Sequence, residues 1–276
     1  MAAFTKMQSL GNDFIMLDGI RQRFRLDPAT VRRLADRHTG VGCDQLIVAE
    51  PGDDSVDFHM RIFNADGGEV GQCGNGARCF ARYLLESGLT TERQIRVGTR
   101  TTRLTVQADD DWQVLVDMGT PQFEPDDIPF RVPARAHEYR LLAGRESIEL
   151  SAVSIGNPHA VLRVDKVADA PVSRLGPVIE NHPDFPEQTN VGFVEITDRE
   201  NLQLRVWERG VGETRACGSG ACAAMAVCRE QGLVDDRVRV KLSGGAVEVD
   251  WPGTGPLSMR GPAETVFRGE IELALL

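Results

Sequence analysis

An internal repeat constrains the fold of this 276-residue chain more than any other feature of its sequence. Residues 63–77, FNADGGEVGQCGNGA, align without a gap on residues 207–221, WERGVGETRACGSGA, at an offset of 144. The offset is about half the chain, so the sequence predicts two domains of one topology. The residues identical in both copies are Gly68, Glu69, Cys73, Gly74, Gly76 and Ala77.

The repeat continues upstream of the matched block. A Gly-Asn pair at 11–12 lies opposite the same pair at 156–157, and Gln45 lies opposite Asn190. Between the two halves, residues 121–133 contain a proline at every fourth position. Because proline supports neither a helix nor a central strand, this segment is predicted to be a linker.

Hydrophobic periodicity places each block between a strand and a helix. Apolar and polar residues alternate in four segments, which predicts half-buried strands at 56–62, 202–206, 238–242 and 246–250. Apolar residues recur at helical spacing after Cys73 and after Cys217. Gly88 and Gly232 are predicted to end these two helices.

The composition excludes several classes of partner. The formal net charge is −10, and an acidic surface repels nucleic-acid phosphates and anionic lipid, so we expect neither partner. No run approaches the roughly 20 apolar residues of a membrane helix, and residues 1–13 contain no stretch typical of a signal peptide. We therefore expect a cytoplasmic protein.

The six cysteines are sparse, and without an export signal they do not predict a disulfide framework. No Cys-x-x-Cys pair occurs and the five histidines are scattered, so no metal site is predicted. Four cysteines are predicted to be small buried apolar residues: Cys43, Cys79, Cys222 and Cys228. Cys73 and Cys217 remain as candidates for chemistry.

Each copy of the block runs from a strand through a glycine-rich turn to a cysteine, the motif Gly-x-Gly and a helix. A cysteine at a helix N-terminus lies near partial positive charge and N–H groups, which lower the thiol pKa. The glycines let the N–H groups of Gly74, Asn75, Gly218 and Ser219 approach a bound anion. One copy alone could be a tight turn around a buried cysteine. Two copies that retain the cysteine favour an anion site with a reactive sulfur.

Two equivalent thiols beside two anion sites suit racemisation at a carbon next to a carboxylate. If a two-fold axis brings both helix N-termini to one cleft, a small carboxylate between them has a sulfur on each face of its α-carbon. One thiolate removes the α-proton and the opposite thiol returns a proton, while the N-termini stabilise the charge that the carboxylate gains. This scheme requires neither a metal ion nor pyridoxal phosphate.

Four blocks of the sequence resemble the diaminopimelate epimerase family: residues 11–14 (GNDF), 73–81 (CGNGARCFA), 156–159 (GNPH), and 208–209 (ER) followed by 216–221 (ACGSGA). The resemblance runs from near the N-terminus to the last strand. It implies an α+β fold of two pseudo-symmetric domains, each a curved, mainly antiparallel sheet around a central helix. The implied domains are 1–118 with 264–276 and 119–263.

The resemblance also implies an activity. Members of this family are cofactor-independent isomerases that interconvert LL- and meso-2,6-diaminopimelate in lysine and peptidoglycan precursor biosynthesis. The implied partners of this chain are the small-molecule substrate and a second copy of itself, in a homodimer.

The site residues implied by the resemblance centre on the two cysteines. Cys73 and Cys217 match acid/base thiols, with Cys73 as proton acceptor and Cys217 as donor in the LL-to-meso direction. His159 and Glu208 match residues that tune the protonation of the thiols. Arg209 is expected to pair with the unreacting carboxylate of the substrate, and Glu208 with its ammonium. The implied substrate-binding residues are Asn12, Gln45, Asn64, Gly74, Asn75, Asn157, Asn190, Glu208, Arg209, Gly218 and Ser219.

Three other interpretations stay open. A proline or hydroxyproline racemase also pairs two cysteines, but its substrate has no second charged head for Arg209 to bind. A thiol hydrolase, with Cys73 or Cys217 as nucleophile and His159 as base, leaves the second cysteine block without a role. A non-enzymatic anion-binding or redox-sensing module would join the two cysteines in a reversible disulfide.

Overall fold

The structure is a computed structural model that describes residues 1–71, 73–143 and 146–272. The chain divides into two compact units, Met1–Val116 with Arg260–Leu276 and Asp117–Met259. The domain limits 1–118 with 264–276 and 119–263 stay a prediction, and residues 273–276 lie outside the described residues. Of the helices that the structure describes, none has the length and apolar character needed to cross a bilayer.

The elements follow one another in the same order in both halves. The helices are α1 (Pro28–Ala35), α2 (Gly74–Glu86), α3 (Val172–Glu180) and α4 (Gly218–Glu230). The strands of the first half are β1 (Ala2–Ser9), β2 (Asn12–Asp18), β3 (Gln45–Asp53), β4 (Val56–Asn64), β5 (Glu69–Val70), β6 (Gln94–Gly98), β7 (Arg103–Ala108) and β8 (Gln113–Asp117). The remaining strands are β9 (Tyr139–Ala143), β10 (Glu146–Ser154), β11 (Pro158–Arg163), β12 (Asn190–Ile196), β13 (Asn201–Glu208), β14 (Gly212–Thr214), β15 (Arg237–Leu242), β16 (Gly245–Asp250), β17 (Ser258–Pro262) and β18 (Glu264–Ile271).

The two units share one pattern of strand pairing. In the first unit β1 pairs antiparallel with β2, β2 parallel with β3, β3 antiparallel with β4, and β4 parallel with β6. In the second unit β10, β11, β12, β13 and β15 repeat each of these steps. The registers agree as well, because Phe14 faces Gln45 where His159 faces Asn190. The predicted α+β fold with two pseudo-symmetric halves is confirmed.

One helix in each unit is enclosed by its sheet. Helix α2 packs against β1, β2, β3 and β7, and α4 packs against β10 to β13, β15 and β16. Cys73 and Cys217 are the N-cap residues of these helices. Gly88 and Gly232 follow the last turns with φ of +63° and +72°, the left-handed position that glycine adopts after a helix. Both helices predicted from the sequence are therefore confirmed, as are the four predicted strands, which are β4, β13, β15 and β16.

The other four cysteines are buried, as predicted: Cys43, Cys79, Cys222 and Cys228. In α4 the whole stretch from residue 220 to residue 228 is buried. A helix that is covered on all sides needs small and apolar residues around its full circumference, and cysteine and alanine supply them here. The two cysteines of this stretch therefore fill space inside the sheet.

The proline-rich segment 121–133 belongs to the second unit and is not a linker. Ile128 and Phe130 are buried in the core cluster of that unit. The Phe130 ring stacks on the Phe185 ring with centroids 4.3 Å apart. The prediction of a linker is wrong because prolines exclude regular helices and central strands but do not prevent the apolar residues between them from packing.

Candidate active site

Cys73 lies at the junction of the glycine-rich turn and helix α2. Its Sγ accepts a hydrogen bond from the Gly76 backbone N–H at 3.2 Å. An N-cap acceptor satisfies a donor of the first helical turn, and a donated N–H favours the anionic form of the sulfur. Gly74 and Asn75 belong to the same first turn, where backbone N–H groups point out of the helix end. This half of the predicted site can therefore hold an anion beside a sulfur.

A chain of hydrogen bonds with a fixed direction runs past Cys73. Arg78 Nη2 donates to Asn75 Oδ1 at 2.7 Å, and Asn75 Nδ2 donates to Asn12 Oδ1 at 3.3 Å. Asn12 Nδ2 in turn donates to Asp44 Oδ2 at 2.9 Å. Because a guanidinium only donates and a carboxylate only accepts, the two ends fix the orientation of both amides. The Asn12 oxygen therefore faces the Cys73 sulfur at 4.0 Å, where it can accept from the S–H group when the sulfur is protonated.

Two further amides of the predicted set meet on neighbouring strands of the first unit. Gln45 and Asn64 face each other across β3 and β4, and Gln45 Nε2 donates to Asn64 Oδ1 at 2.8 Å. Gln45 Oε1 is buried and has no hydrogen-bond partner among the described residues. A buried acceptor without a donor costs about 1–3 kcal/mol. This oxygen can accept a hydrogen bond from a ligand ammonium.

Cys217 is more buried than its counterpart and lies beside a carboxylate. It is 4% exposed, and its Sγ lies 3.7 Å from the Ser219 hydroxyl oxygen. Burial raises the pKa of the Cys217 thiol well above its ordinary value, and the Glu208 carboxylate raises it further. The Ser219 hydroxyl and the Gly220 N–H oppose this shift with smaller effects. The expectation of a lowered pKa is wrong for Cys217, because burial and a nearby carboxylate outweigh the helix dipole.

The turn after β13 carries the charged pair of the predicted site. The Thr214 hydroxyl donates a short hydrogen bond to Glu208 Oε1. Asn190 Oδ1 accepts from the Arg209 backbone N–H at 3.0 Å, and Asn190 Nδ2 donates to the Pro158 carbonyl at 3.0 Å. Both polar atoms of the Asn190 amide thus bind backbone, so this residue orients the turn that bears Glu208 and Arg209.

Arg209 is tethered at its side chain as well as at its backbone. Its Nη1 donates to the Glu187 carbonyl at 2.8 Å. The contact holds one arm of the planar guanidinium, and a guanidinium has five N–H donors in a fixed fork. The remaining donors suit a bidentate carboxylate.

His159 is an uncharged ring inside the second unit. It is 1% exposed, and burial, with a smaller effect of the Arg209 charge, lowers its pKa to about 3. Its Nε2 lies 3.1 Å from Asn157 Oδ1. A neutral imidazole that faces this oxygen through Nε2 carries its proton there. Its Nδ1 is buried and lacks a partner among the described residues, so it is an acceptor.

Each unit gathers its own share of the predicted residues around one cysteine. Within the described part of the chain, no three His, Cys, Asp or Glu side chains are grouped so as to hold a metal ion. Sequence reasoning missed Asp44, Arg78 and Thr214, whose side chains contact predicted residues. It also missed Glu180, which contacts the neighbouring Trp207 and Gly210. The sequence does single out Arg78, because it is a charged residue among apolar positions of α2. It does not single out Glu180, since this residue precedes its partners by about thirty residues.

The chain is similar to known proteins both in sequence and in fold. A sequence profile of the family described as diaminopimelate epimerase matches residues 4–124 and 151–266. The chain is also 55% identical over 272 residues to a curated diaminopimelate epimerase of Halorhodospira halophila, a match that covers 98% of this chain and 95% of that protein.

Solved structures of similar fold have much lower identity. A probable proline racemase from Agrobacterium radiobacter K84, with bound carbonate, matches with a TM-score of 0.70 at 17% identity over 99% of this chain and 93% of that chain. A hydroxyproline epimerase from Agrobacterium vitis, with bound trans-4-hydroxy-L-proline, also matches with a TM-score of 0.70, at 16% identity over 97% and 91%. These two likenesses concern the fold alone.

Proposed function

The chain belongs to the diaminopimelate epimerase family, and from this membership we propose that it interconverts LL- and meso-2,6-diaminopimelate by a two-base mechanism. The observation that carries the proposal is the duplicated cysteine at the N-cap of an enclosed helix, Cys73 in one unit and Cys217 in the other. Inversion of a carbon centre needs a base on one face and an acid on the other. A repeated half-site supplies one thiol for each face.

In the LL-to-meso direction, Cys73 is the base. Its thiolate takes the α-proton: the C–H bond breaks, an S–H bond forms, and the electron pair moves into the carboxylate to give an enediolate. Cys217 then gives its thiol proton to the opposite face, and the electron pair returns to the α-carbon. The step leaves a thiol at Cys73 and a thiolate at Cys217, so the roles exchange in the reverse direction.

The unlike surroundings of the two sulfurs support this assignment. The Gly76 N–H donates to the Cys73 sulfur, which favours a thiolate. Burial and Glu208 keep the proton on Cys217. A resting enzyme with one thiolate and one thiol is ready for the LL-to-meso direction. The Asn12 oxygen beside Cys73 accepts the S–H that forms when the α-proton arrives.

The reacting carboxylate is bound by the starts of α2 and α4. The backbone N–H groups of Gly74, Asn75, Gly218 and Ser219 belong to the first turns of these helices. They point at an anion and complement its charge. As the α-proton leaves, the carboxylate gains negative charge, so the same donors bind the transition state more tightly than the substrate.

The other end of the substrate carries an ammonium and a second carboxylate. Arg209 pairs with that carboxylate with the help of Asn157. Glu208 and Asn64 accept from the ammonium, and Gln45 offers its buried oxygen to the same group. A small apolar amino acid has no second charged head, so a site for it would not need the turn that carries Glu208 and Arg209.

The family resemblance supports several further proposals for this chain. We place its activity in lysine and peptidoglycan precursor biosynthesis, in the cytoplasm, with the protein acting as a homodimer. Its chemistry requires neither a metal ion nor pyridoxal phosphate, because the two thiols and the two helix N-termini supply the base, the acid and the charge stabilisation.

A thiol hydrolase is the less favoured alternative. Its general base would be His159, which must accept a proton from a cysteine. The ring is fully buried with a pKa of about 3, and its Nε2 is engaged with Asn157. So weak a base does not activate a thiol at neutral pH.

Single replacements of the cysteines test the two-base mechanism. We expect Cys73→Ala and Cys217→Ala each to abolish epimerisation of LL-diaminopimelate, because each variant lacks one of the two thiols. Chiral chromatography of the reaction under reducing conditions measures the loss. The Cys217→Ala variant keeps one base and should still eliminate halide from a β-halogenated analogue of one stereoisomer, and Cys73→Ala from the other.

Cys228→Ala is the matched control, since it removes a buried cysteine of α4 outside the site. It should keep near-parental turnover. If both active-site variants epimerise at parental rates, the two-thiol mechanism is wrong.

A further inference from the structure

A buried carboxylate supports the turn that carries Glu208 and Arg209. Glu180, the last residue of α3, is 6% exposed. Its Oε1 accepts from the Gly210 backbone N–H at 2.6 Å, and its Oε2 accepts from Trp207 Nε1 at 2.7 Å. One side chain therefore holds the strand before the turn and the backbone within it.

The position of this carboxylate is costly unless these two bonds form. A negative charge in the last turn of a helix is opposed by the helix dipole. A buried carboxylate is also destabilising unless donors satisfy its oxygens. Both oxygens of Glu180 have such donors, and both donors come from residues 207–210. The two hydrogen bonds therefore fix the Glu180 side chain and the turn relative to each other.

Two of the three backbone N–H groups of the turn donate to side chains, and the third donates to a backbone carbonyl. The Arg209 N–H donates to Asn190 Oδ1, the Gly210 N–H to Glu180, and the Val211 N–H to the Glu208 carbonyl at 3.1 Å. Gly210 has a φ of +72°, which a turn of this kind requires of its third residue. Loss of Glu180 would leave the middle donor of this series without its acceptor.

Helix α3 fits closely against the same strand. A Cβ added at Gly176 would lie 2.5 Å from Trp207 Cγ, so the helix backbone lies directly on the indole. Gly176 and Glu180 are four residues apart and share one face of the helix. The absence of a side chain at Gly176 leaves room for the Trp207 ring, and the Glu180 carboxylate accepts from the N–H of that ring.

The first unit supports its corresponding turn in a different way, because Arg32 of α1 donates to the Asp66 backbone carbonyl at 3.1 Å. Upstream of the cysteine block the repeat has an offset of 145, so Ala35 corresponds to Glu180, and within the block the offset is 144, so Phe63 corresponds to Trp207. The Phe63 ring has no N–H group that could donate to a carboxylate. Asn64 corresponds to Glu208 and is followed by an alanine. Support by a buried carboxylate occurs in the unit whose turn carries the charged pair.

We propose that Glu180 is a positioning residue that fixes the turn so that Glu208 and Arg209 present their charged groups to the distal head of the substrate. This inference rests on the proposed function and deepens it, because it names the residue on which recognition of the second ammonium and carboxylate depends. The Arg209 side chain is long and flexible, so its aim depends on a fixed backbone. Glu180 acts on binding, and the chemical step belongs to the thiols.

The isosteric variant Glu180→Gln tests this role. An amide has only one oxygen, so its NH2 group must face either the Gly210 N–H or the Trp207 Nε1–H, and one bond is lost. We expect KM for LL-diaminopimelate to rise about tenfold while kcat changes less than about threefold, from the loss of one charge-assisted hydrogen bond. Hydrogen exchange of the Gly210 amide, monitored by NMR without substrate, should accelerate about tenfold in either orientation, because a bond that is kept to the neutral amide oxygen is weaker than the bond to a carboxylate.

Glu195→Gln is the matched control. Glu195 accepts from the Val167 backbone N–H at 2.8 Å and from Gln203 Nε2 at 3.1 Å, which is the same kind of support away from the turn. It should leave KM and Gly210 exchange unchanged. Trp207→Phe removes one of the two donors and should raise KM in the same direction as Glu180→Gln.

Two results would overturn the inference: parental KM and Gly210 exchange in Glu180→Gln, or equal effects in Glu180→Gln and Glu195→Gln. A parental protein that does not turn over diaminopimelate would instead refute the proposed function. In that case selective acceleration of Gly210 exchange would still support Glu180 as the residue that fixes the turn, and its absence would refute that as well.

Discussion

Burial decides the protonation of two residues in the second unit. Cys217 keeps its proton because burial and Glu208 raise its pKa. His159 stays neutral because burial lowers its pKa. Both shifts favour the uncharged form, as removal from water does for any ionisable group. The interior of this unit therefore holds an acid and a neutral imidazole at neutral pH.

The buried imidazole predicts a loss of stability in acid. The pKa of His159 in the folded chain is about 3, below the ordinary value of about 6.5. Its contribution to stability is therefore present above about pH 6.5 and is lost as the pH falls toward 3, because the unfolded chain binds a proton that the folded chain does not. Between about pH 6 and about pH 4, the free energy of unfolding should fall more steeply in the parent than in His159→Gln, by up to ~1.4 kcal/mol per pH unit.

Urea denaturation at a series of pH values measures this difference. His137→Gln is the control, because it replaces a histidine whose side chain is exposed, and its free energy of unfolding should fall with pH as that of the parent does. Equal slopes in the parent and in His159→Gln would show that His159 is not buried as a neutral ring.

Single residues differ in how far the sequence predicts them. Cys73 and Cys217 could be singled out because each stands in a duplicated block. The directions of the Asn12 and Asn75 amides could not, since they depend on Arg78 and Asp44 at the two ends of a chain that only the fold assembles. The raised pKa of Cys217 was missed for a similar reason, because the motif shows the helix start and not the burial around it.

At the level of secondary structure, the start of α4 is packed too closely for a larger residue. A Cβ added at Gly220 would lie 3.0 Å from Val206 Cγ2 and 3.3 Å from the Cys217 sulfur. Both distances are shorter than ordinary van der Waals contact, so an added methyl group must move a strand side chain or the sulfur. The glycine of this motif therefore determines where the thiol lies.

Gly220→Ala should lower turnover more than it lowers stability. Alanine favours a helix over glycine by about 1 kcal/mol, which offsets part of the crowding in the free energy of unfolding. The displaced sulfur should reduce kcat about tenfold or more, since proton transfer depends on close alignment. Steady-state kinetics and urea denaturation of the same preparation measure the two effects.

Gly232→Ala at the other end of α4 gives the opposite pattern. Gly232 has a φ of +72° and no other heavy atom within 4 Å of an added Cβ, so alanine costs about 1–2 kcal/mol of backbone strain and should leave kcat unchanged. Parental turnover in Gly220→Ala would contradict the close fit of the helix start to the thiol.

Periodicity predicts elements better than it predicts their packing. The alternating segments became strands, and the segments after the two cysteines became enclosed helices. The segment 121–133 shows the limit of such patterns. Its prolines exclude a regular helix or central strand, but its apolar side chains determine whether the segment is buried. Phe130 stacks on Phe185, a partner about fifty residues away that no local pattern indicates.

At the scale of the whole molecule, the repeat links the fold to the chemistry. One strand order occurs twice, and each occurrence contains the same cysteine block, so the repeat in the sequence predicts both the topology and the pairing of functional residues. The second unit differs from the first in carrying Glu208, Arg209 and Glu180. The repeat could not predict Glu180, because its counterpart in the first unit is an alanine.

Epimerisation in deuterated water tests the two-base proposal most directly. LL-diaminopimelate is incubated with the reduced enzyme, and product and remaining substrate are separated early in the reaction and analysed by mass spectrometry. The acid thiol has exchanged its proton with solvent, so we expect the meso product to carry one α-deuterium while the remaining LL substrate carries almost none. Meso product that retains the original α-hydrogen would show that one group both removes and returns the proton, and would contradict the account.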